Sequence, residues 1–225
     1  MSVFPPPTPE PRILRKQDWA YEAVRERIIS NRLKPGERID QDKLATELGI
    51  SRIPLRQGLG RLIAEGLVRD NPHHRWVVTE LEKGDVRDIY SGREVLEALL
   101  AAEATVNATE DDFAAMRAVL DRQALVLSQG STEGFHQADF AFHDVLYQAA
   151  RMPKTYAALN GLFTMSERYI RLYQSDVGRA AISLQDHREI FNAVTERDSE
   201  KVAQLIRGHI SRGRAHLEQS GGGIE

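Results

Sequence analysis

The chain has 225 residues, 41% of them hydrophobic and 28% charged, a composition typical of a globular protein with one large or two small domains. The absence of cysteine excludes a disulfide framework and a thiolate metal site, and no apolar run approaches the ~20 residues that cross a bilayer. The net charge is −3, but the charges are unevenly distributed: residues 13–80 carry 13 Lys and Arg against 10 Asp and Glu, whereas residues 81–225 carry 16 against 22. Either this is ordinary scatter of charge, or only the first third of the chain contacts phosphate.

The two ends of the chain are predicted to lie outside the folded part. Residues 1–12 contain five prolines and lack the apolar stretch of a secretory signal, so we predict a disordered tail. Glycines at 221–223 predict a flexible tail over residues 219–225. Without a signal segment and without cysteine, the chain is expected to be cytoplasmic.

Residues 13–80 are predicted to form a winged helix-turn-helix domain. An apolar stripe at helical spacing supports the first helix (Ala20, Val24 and Ile28), and a tight turn at Gly49 separates the next two. Two β-prone runs joined by a short turn then predict a hairpin, or wing. In chain order the elements are helices over 18–30, 41–48 and 51–65 and strands over 67–70 and 76–79.

The start of the third helix carries the chemistry of this domain. Ser51 is a favourable N-cap residue, whose hydroxyl can accept a bond from a backbone N–H of the first turn. Arg52 and Arg56 follow, four apart on one face. Arginines near the start of such a helix can enter a DNA major groove, where the guanidinium binds guanine or phosphate.

Residues 81–218 show helical patterns and no strand signal, so the predicted fold class is mostly α: a winged helix-turn-helix followed by a bundle of six to seven helices. Thr109 and Asp112 resemble a capping box at the start of one helix. The predicted helices cover residues 83–106, 109–128, 131–151, 154–175, 184–197 and 199–218.

Four residues of this helical part could hold a divalent metal. Asp139 and His143 are four apart on one helix and project side by side. His187 and His209 each lie 11 residues from Asp198, so a chain reversal there would place them level in an antiparallel hairpin. Three imidazoles and one carboxylate suit Zn²⁺, Ni²⁺ or Mn²⁺.

Each of these residues also has a simpler interpretation. A single helical histidine is more often solvated or at the edge of a core, and Asp139 with His143 could be a surface pair. His136 lies on the same face and is a rival ligand, whereas His216 has no partner at a useful spacing and is predicted to be solvated.

A buried arginine is predicted beside these ligands. Arg93 interrupts an apolar helical stripe, and a charge on such a face must be paired or must reach an anion. It could pair with Glu97, or it could face a carboxylate ligand beside the metal. Arg168 and Arg171 are weaker candidates of the same kind.

Together these motifs resemble a known family of regulators. Residues 21–79 resemble the GntR family of bacterial transcription regulators, and residues 83–218 resemble the all-helical FCD effector domain of the FadR subfamily. The matching segments of the first part are Leu33-Lys-Pro-Gly36, Leu44-Ala-Thr-Glu-Leu-Gly-Ile-Ser-Arg-Ile-Pro-Leu-Arg56 and Arg61-Leu-Ile-Ala-Glu-Gly-Leu-Val68. The matching residues of the second part are Asp139, His143, His187 and His209, with Arg93 and Glu97.

The resemblance implies a homodimer on a pseudo-palindromic operator, with a small organic acid bound next to the metal and changing the spacing or mobility of the DNA-binding heads. It implies that Arg52 and Arg56 contact DNA from the recognition helix and that the wing around His73 and His74 lies near the minor groove or the backbone. It also places ligand binding at Arg93, Glu97 and, more weakly, Arg171.

Several positions depart from the family pattern. Gly58 and Gly60 stand inside the recognition helix, where each costs ~1 kcal/mol relative to Ala, and they either allow close approach to DNA or loosen the helix. Lys43 follows Asp42 in the reverse of the usual order, so a DNA-backbone contact could belong to Lys43. Arg75 replaces the wing glycine and could add a phosphate contact, and Met152 replaces an asparagine expected near the ligand.

Three functions follow from these features. The first is a metal-containing regulator, most simply a repressor that releases DNA when a carboxylated metabolite binds. The second is a metalloenzyme acting on a small organic acid, although Glu189, the nearest candidate base, points to a different helix face from His187. The third is a structural metal in a domain that only dimerises.

Overall fold

The computed structural model describes residues 15–71, 75–173 and 177–220. These residues form nine helices and one two-stranded antiparallel sheet. They separate into two compact units, with the boundary between Glu80 and Leu81. The predicted fold class, a winged helix-turn-helix followed by a helical bundle, is confirmed.

The first unit is built around one apolar core. The stripe on the first helix is buried as predicted, and it packs with buried leucines of the third helix. Asp40 caps the second helix by accepting bonds from the backbone N–H groups of Asp42 and Lys43, and Gly49 ends it in the left-handed conformation (φ 66°). The elements are α1 (Lys16–Ile29), α2 (Gln41–Leu48), α3 (Arg52–Ala64), β1 (Val68–Asn71) and β2 (Arg75–Val78).

The predicted hydroxyl cap of α3 is wrong. Ser51 occupies the N-cap position with extended backbone, but its side chain makes no capping bond. Such a bond takes its donor from the second or third helical position, and one of these two donors is missing. Pro54 stands at the third helical position and has no N–H to donate.

The two glycines of α3 have different roles. A Cβ at Gly58 would lie 2.7 Å from the backbone nitrogen of Tyr21 and 3.1 Å from the carbonyl oxygen of Gln17. Gly58 is therefore buried where α1 crosses α3, and the close approach that it allows is to α1, not to DNA. Gly60 is exposed, and a Cβ there would meet nothing within 4 Å.

The second unit is entirely helical in the part that the structure describes. Most helix ends lie within a few residues of the prediction, but α8 begins seven residues earlier than expected. Ala180 and Leu184, one turn apart, are both buried in the core, and this packing extends the helix through Gly178. The helices are α4 (Lys83–Asn107), α5 (Glu110–Ser128), α6 (Thr132–Ala149), α7 (Pro153–Tyr173), α8 (Val177–Thr195) and α9 (Ser199–Ser220).

Two local features of this unit follow the sequence pattern. Thr109 and Asp112 form the predicted capping box, in which each side chain accepts from the other residue's backbone N–H. The chain reverses between α8 and α9 as predicted, with Arg197 in the left-handed region (φ 62°). Among the described helices, none combines the length and apolarity that crossing a membrane requires.

Candidate metal centre and nucleic-acid interface

Three predicted ligands meet in the core of the second unit. His143 on α6, His187 on α8 and His209 on α9 are buried, and one ring nitrogen of each lies within 4.8 Å of the other two. The α8–α9 hairpin brings His187 and His209 level, with ring centroids 4.8 Å apart. The spacing argument therefore located a real cluster.

Asp139, the fourth predicted ligand, lies at the edge of this cluster. It stands one turn before His143 on α6, and its Oδ1 is 3.8 Å from Nε2 of His187. The same oxygen accepts a hydrogen bond of 2.6 Å from Ser183 Oγ. Ser183, on α8, was not anticipated from the sequence.

Each of the three imidazoles is oriented by a contact at Nδ1. This arrangement leaves Nε2 as the atom available to a cation, as is usual for histidine ligands. None of the three orienting residues was predicted, because all come from distant or unremarkable positions in the sequence. The contacts are His143 Nδ1 with Tyr147 OH at 3.0 Å, His187 Nδ1 with the Gln123 amide (Nε2 at 2.9 Å and Oε1 at 3.2 Å), and His209 Nδ1 with Asp186 Oδ2 at 3.0 Å.

Burial keeps the imidazoles in the form that binds metals. Desolvation lowers the pKa of His187 to about 3, with Asp139 opposing this shift and Arg179 reinforcing it. Desolvation also lowers the pKa of His143 well below its ordinary value. Both rings are therefore neutral at pH 7, with a lone pair free for a ligand bond.

The donor set fits a divalent cation. Nε2 of His187 is fully shielded from solvent and has no hydrogen-bond partner among the described residues. An orphaned polar atom in a core is costly, and a cation at this point would satisfy it. Three imidazoles with a nearby carboxylate suit zinc, nickel or manganese.

A buried hydrogen-bond chain connects this cluster to Arg93. The guanidinium donates from Nε to Glu97 Oε1 at 2.6 Å and from Nη1 to Ser166 Oγ at 3.1 Å. Glu97 Oε2 accepts from Tyr147 OH at 2.6 Å, and that hydroxyl contacts His143. Arg93 is therefore paired internally with Glu97, and it also lines a cavity of about 50 Å³ beside the histidines.

The lining of this cavity differs in part from the sequence prediction. Asp139, His143 and His209 line it, and so does His136, which is not a member of the histidine cluster. Arg179, at the start of α8, also lines it and was not predicted. Its positive charge was visible in the sequence, but α8 was expected to begin only at residue 184, so Arg179 was not placed on that helix.

Other predicted residues lie elsewhere. Arg171 is not in the lining of this cavity, and its guanidinium pairs with Glu167 at 3.2 Å and Glu133 at 3.3 Å. Arg168 is buried but also lies outside the lining. Met152 lines a second cavity of about 480 Å³ near the start of α7.

Two further predictions about side chains can be compared with the structure. His216 was expected to be solvated, but its Nε2 is shielded from solvent, because the residue sits partly buried on α9. Glu189 is exposed on α8 and accepts a bond from Gln185, so it offers no base to the histidine cluster.

The predicted DNA-contacting residues lie on the surface of the first unit. Arg52 and Arg56 are exposed on α3, where Arg52 pairs with Asp42 of α2 and Arg56 lies 5.8 Å from the ring centre of Trp76. Lys43 and Ser51 are exposed nearby. Ile53, 72% exposed on the first turn of α3, was missed by the sequence analysis, which considered only charged and capping residues.

The structure describes only part of the predicted wing. Arg75 begins β2 and pairs opposite Asn71 in the sheet. His73 and His74 lie outside the described residues.

Comparison with known proteins gives the same division of the chain. Residues 16–78 match the bacterial regulatory proteins of the gntR family, and residues 88–212 match the FCD domain. The latter match alone spans more than half of the chain.

Individual proteins match over most of their length. YdhC of Bacillus subtilis (strain 168), an uncharacterized HTH-type transcriptional regulator, is 26% identical over 202 residues, which cover 88% of this chain and 89% of YdhC. The HTH-type transcriptional repressor RspR of Escherichia coli (strain K12) is 23% identical over 190 residues, 84% of this chain and 83% of RspR. The structure of E. coli McbR/YncC shares the fold with a TM-score of 0.81 at 20% identity, over 92% of this chain and 99% of that one.

Proposed function

Because the chain belongs to the gntR family of bacterial regulatory proteins and carries an FCD domain, we propose that it is a repressor released from its operator by a small carboxylated metabolite. The metabolite binds beside a divalent metal in the second unit. The observation that carries this proposal is the shielded, unpartnered Nε2 of His187 among three buried histidines, next to a cavity. The chain itself is a DNA-binding transcriptional regulator and not an enzyme. The relatives that it matches are likewise transcriptional regulators.

The first unit supplies the DNA contacts. Arg52 and Arg56 project from the start of α3, and the exposed Ile53 lies between them in the sequence. In a major groove the guanidinium groups bind guanine or phosphate, and an apolar side chain contacts a thymine methyl group. Lys43 and the wing residue Arg75 contact the DNA backbone.

The second unit supplies the metal site. Asp139, His143, His187 and His209 would hold the ion, which would supply Lewis-acid chemistry toward an anionic ligand. Tyr147 fixes the ring of His143, and Glu97 holds Tyr147 through its hydroxyl. Arg93 ends this hydrogen-bond chain at the cavity wall, so a ligand that contacts Arg93 would also perturb the position of the histidines.

A homodimer is supported by an apolar stripe on α4. Val95, Leu99 and Val106 are 66%, 43% and 68% exposed, and their spacing places them on one face of the helix. Adjacent exposed apolar side chains of this kind mark an interaction surface. A second copy on this face would pair two DNA-binding units, as a pseudo-palindromic operator requires.

Repression and release require that the metabolite prefer one dimer arrangement, since equal affinity for both shifts nothing. The relative RspR is a transcriptional repressor, which supports this sign of regulation. The metabolite's carboxylate and its contacts with the cavity wall are the source of that preference.

The test is selection of genomic fragments by the purified, zinc-loaded protein at near-physiological salt. We expect one inverted repeat to be enriched, and Arg52→Ala to lose affinity for it by roughly five- to a hundredfold. Arg32→Ala, which removes an exposed charge outside α3, is the matched control and should retain affinity within twofold. An unenriched pool from folded, dimeric protein would overturn the proposal.

A further inference from the structure

Arg179 is the unpaired cation of the cavity. It lies on the first turn of α8 and lines the cavity beside the histidines. Its guanidinium forms no hydrogen bond or ion pair with any residue that the structure describes, in contrast to that of Arg93, which is bonded to Glu97 and Ser166. The side chain that sequence analysis selected for an anion is therefore neutralised, and the one that it missed is available.

Gly213 of α9 lies beside this guanidinium. A Cβ at Gly213 of α9 would lie 3.6 Å from Nη2 of Arg179 and 3.3 Å from Cε1 of Tyr90. Gly213 stands one helical turn beyond His209, which corresponds to about 6 Å along α9. The guanidinium thus lies against α9 about one turn beyond His209, and both residues line the same cavity.

The charges of the cavity wall favour a dianion. Arg93 is balanced by Glu97, which leaves Asp139 and Arg179 as the charged lining residues without a counter-ion among the residues that the structure describes. With a divalent ion on the histidines, these groups leave an excess of two positive charges. A ligand with two carboxylates would neutralise both.

The size of the cavity limits the ligand to a short chain. A volume of about 50 Å³ holds only a few water-sized groups, since one buried water needs roughly 10–15 Å³ on the same measure. A three- or four-carbon diacid is comparable in length to the offset of about 6 Å along α9 between His209 and Gly213, the residue beside the Arg179 guanidinium.

We propose that the metabolite is a three- or four-carbon dicarboxylate that places one carboxylate at the histidine cluster and the other on Arg179. This inference rests on the proposed function and names the ligand class and the residue that selects it. Arg179 distinguishes a diacid from a monoacid of the same length, because only the diacid offers a second anionic group.

The experiment is calorimetric titration of the full-length, zinc-loaded protein with malonate, succinate, butyrate and phosphoglycolate. Wild-type protein should bind malonate or succinate at least tenfold more tightly than butyrate. Arg179→Gln should lose at least tenfold in affinity for the diacid and less than twofold for butyrate, and Arg179→Lys should fall between. Arg188→Gln removes the same charge from an exposed position of α8 and should leave both affinities within twofold.

Zinc content and melting temperature, measured for every variant, show that the site is assembled. The inference is overturned if Arg179→Gln retains diacid affinity, if butyrate binds wild-type protein as tightly as succinate, if neither diacid binds, or if phosphoglycolate is preferred. Failure to take up zinc overturns the metal site of the proposed function, whereas zinc-loaded protein that is indifferent to Arg179 overturns only this inference. Arg179-dependent binding of a diacid that does not release the operator overturns the repressor mechanism and leaves the ligand assignment intact.

Discussion

The arginines of α3 and the histidines of the second unit differ in exposure to solvent and in how many helices supply them. Arg52 and Arg56 are exposed and come from one short segment, so that removing them disturbs little else in the fold. His143, His187 and His209 come from three helices, are buried, and are each oriented by a further side chain. In the proposed function, the first group is placed for contact with an external partner. The second group exists only once the whole unit has folded, so it can bind an ion only in the folded protein.

The largest effect should come from removing His187, whose Nε2 has no hydrogen-bond partner among the described residues. His187→Ala deletes one metal ligand, and we expect the affinity for zinc to fall more than a hundredfold, beyond the 10–100-fold typical of residues that only orient ligands. The measurement is competition with a chromophoric chelator. His136→Ala, which alters the cavity wall but not the cluster, should change zinc affinity less than threefold. Equal losses in the two variants would remove the distinction between cluster and wall.

The next effect concerns the orienting residues. Tyr147→Phe keeps the ring and removes the hydroxyl that contacts His143 and donates to Glu97. We expect zinc affinity to fall about 10–100-fold, because a freed His143 ring loses its orientation. Tyr156→Phe, on α7, is the control because Tyr156 bonds Asp144 outside the cluster. Unaltered zinc binding by Tyr147→Phe would show that the buried group needs less support than its contacts suggest.

A third prediction tests how closely α3, which carries Arg52 and Arg56, packs against α1 in the core of the first unit. Gly58→Ala should destabilise the first unit by about 1–3 kcal/mol, because the new methyl group meets the backbone of α1. Gly60→Ala, two residues away in open space, should stabilise α3 by about 0.5–1 kcal/mol. Urea unfolding of the full chain, followed by tryptophan fluorescence, measures both. A stabilising Gly58→Ala would contradict the close crossing of α1 and α3.

The smallest effect is a pH-dependent one in the second unit. Burial raises the pKa of Asp112, but bonds from Thr109 and Arg151 lower it more, to a value below its ordinary 3.8. A carboxyl whose pKa is lower in the folded state stabilises the fold above its unfolded pKa, and this contribution disappears as the pH falls through the folded pKa.

Asp112→Asn should therefore cost about 1 kcal/mol of unfolding free energy at pH 7. The difference from wild-type protein should shrink steadily below pH 4, as both chains come to carry a neutral side chain at this position. Chemical denaturation at pH 7, 4 and 3 provides the comparison. A difference that stays constant with pH would mean that the charge of Asp112 contributes nothing.

The sequence predicted what depends on local pattern. The apolar stripe of α1, the capping box at Thr109 and the equal spacing of His187 and His209 about Asp198 each involve residues within a short segment or a single hairpin. The missing hydroxyl cap at Ser51 was also readable in principle, since Pro54 stands where a donor was needed. That error came from weighing the cap residue without its partner.

What the sequence did not predict depends on packing between distant segments. Gln123 reaches His187 from 64 residues away, and nothing around Gln123 marks it as special. Arg179 was overlooked because the burial of Ala180, which extends α8 over this position, exists only in the folded core. Gly58 looked like a weakness of α3, and its reason is the backbone of another helix.

The turn between α8 and α9 has a consequence for how this gene can vary. Arg197, in its left-handed conformation, donates to the carbonyl oxygens of Thr105 and Ala108 at 2.8 Å and so fastens the turn to the end of α4. Inserting or deleting one residue beside it would rotate His209 by about 100° about the axis of α9. We therefore expect natural variants of this turn to differ by substitution only, because its length sets how the ring of His209 faces the other two histidines.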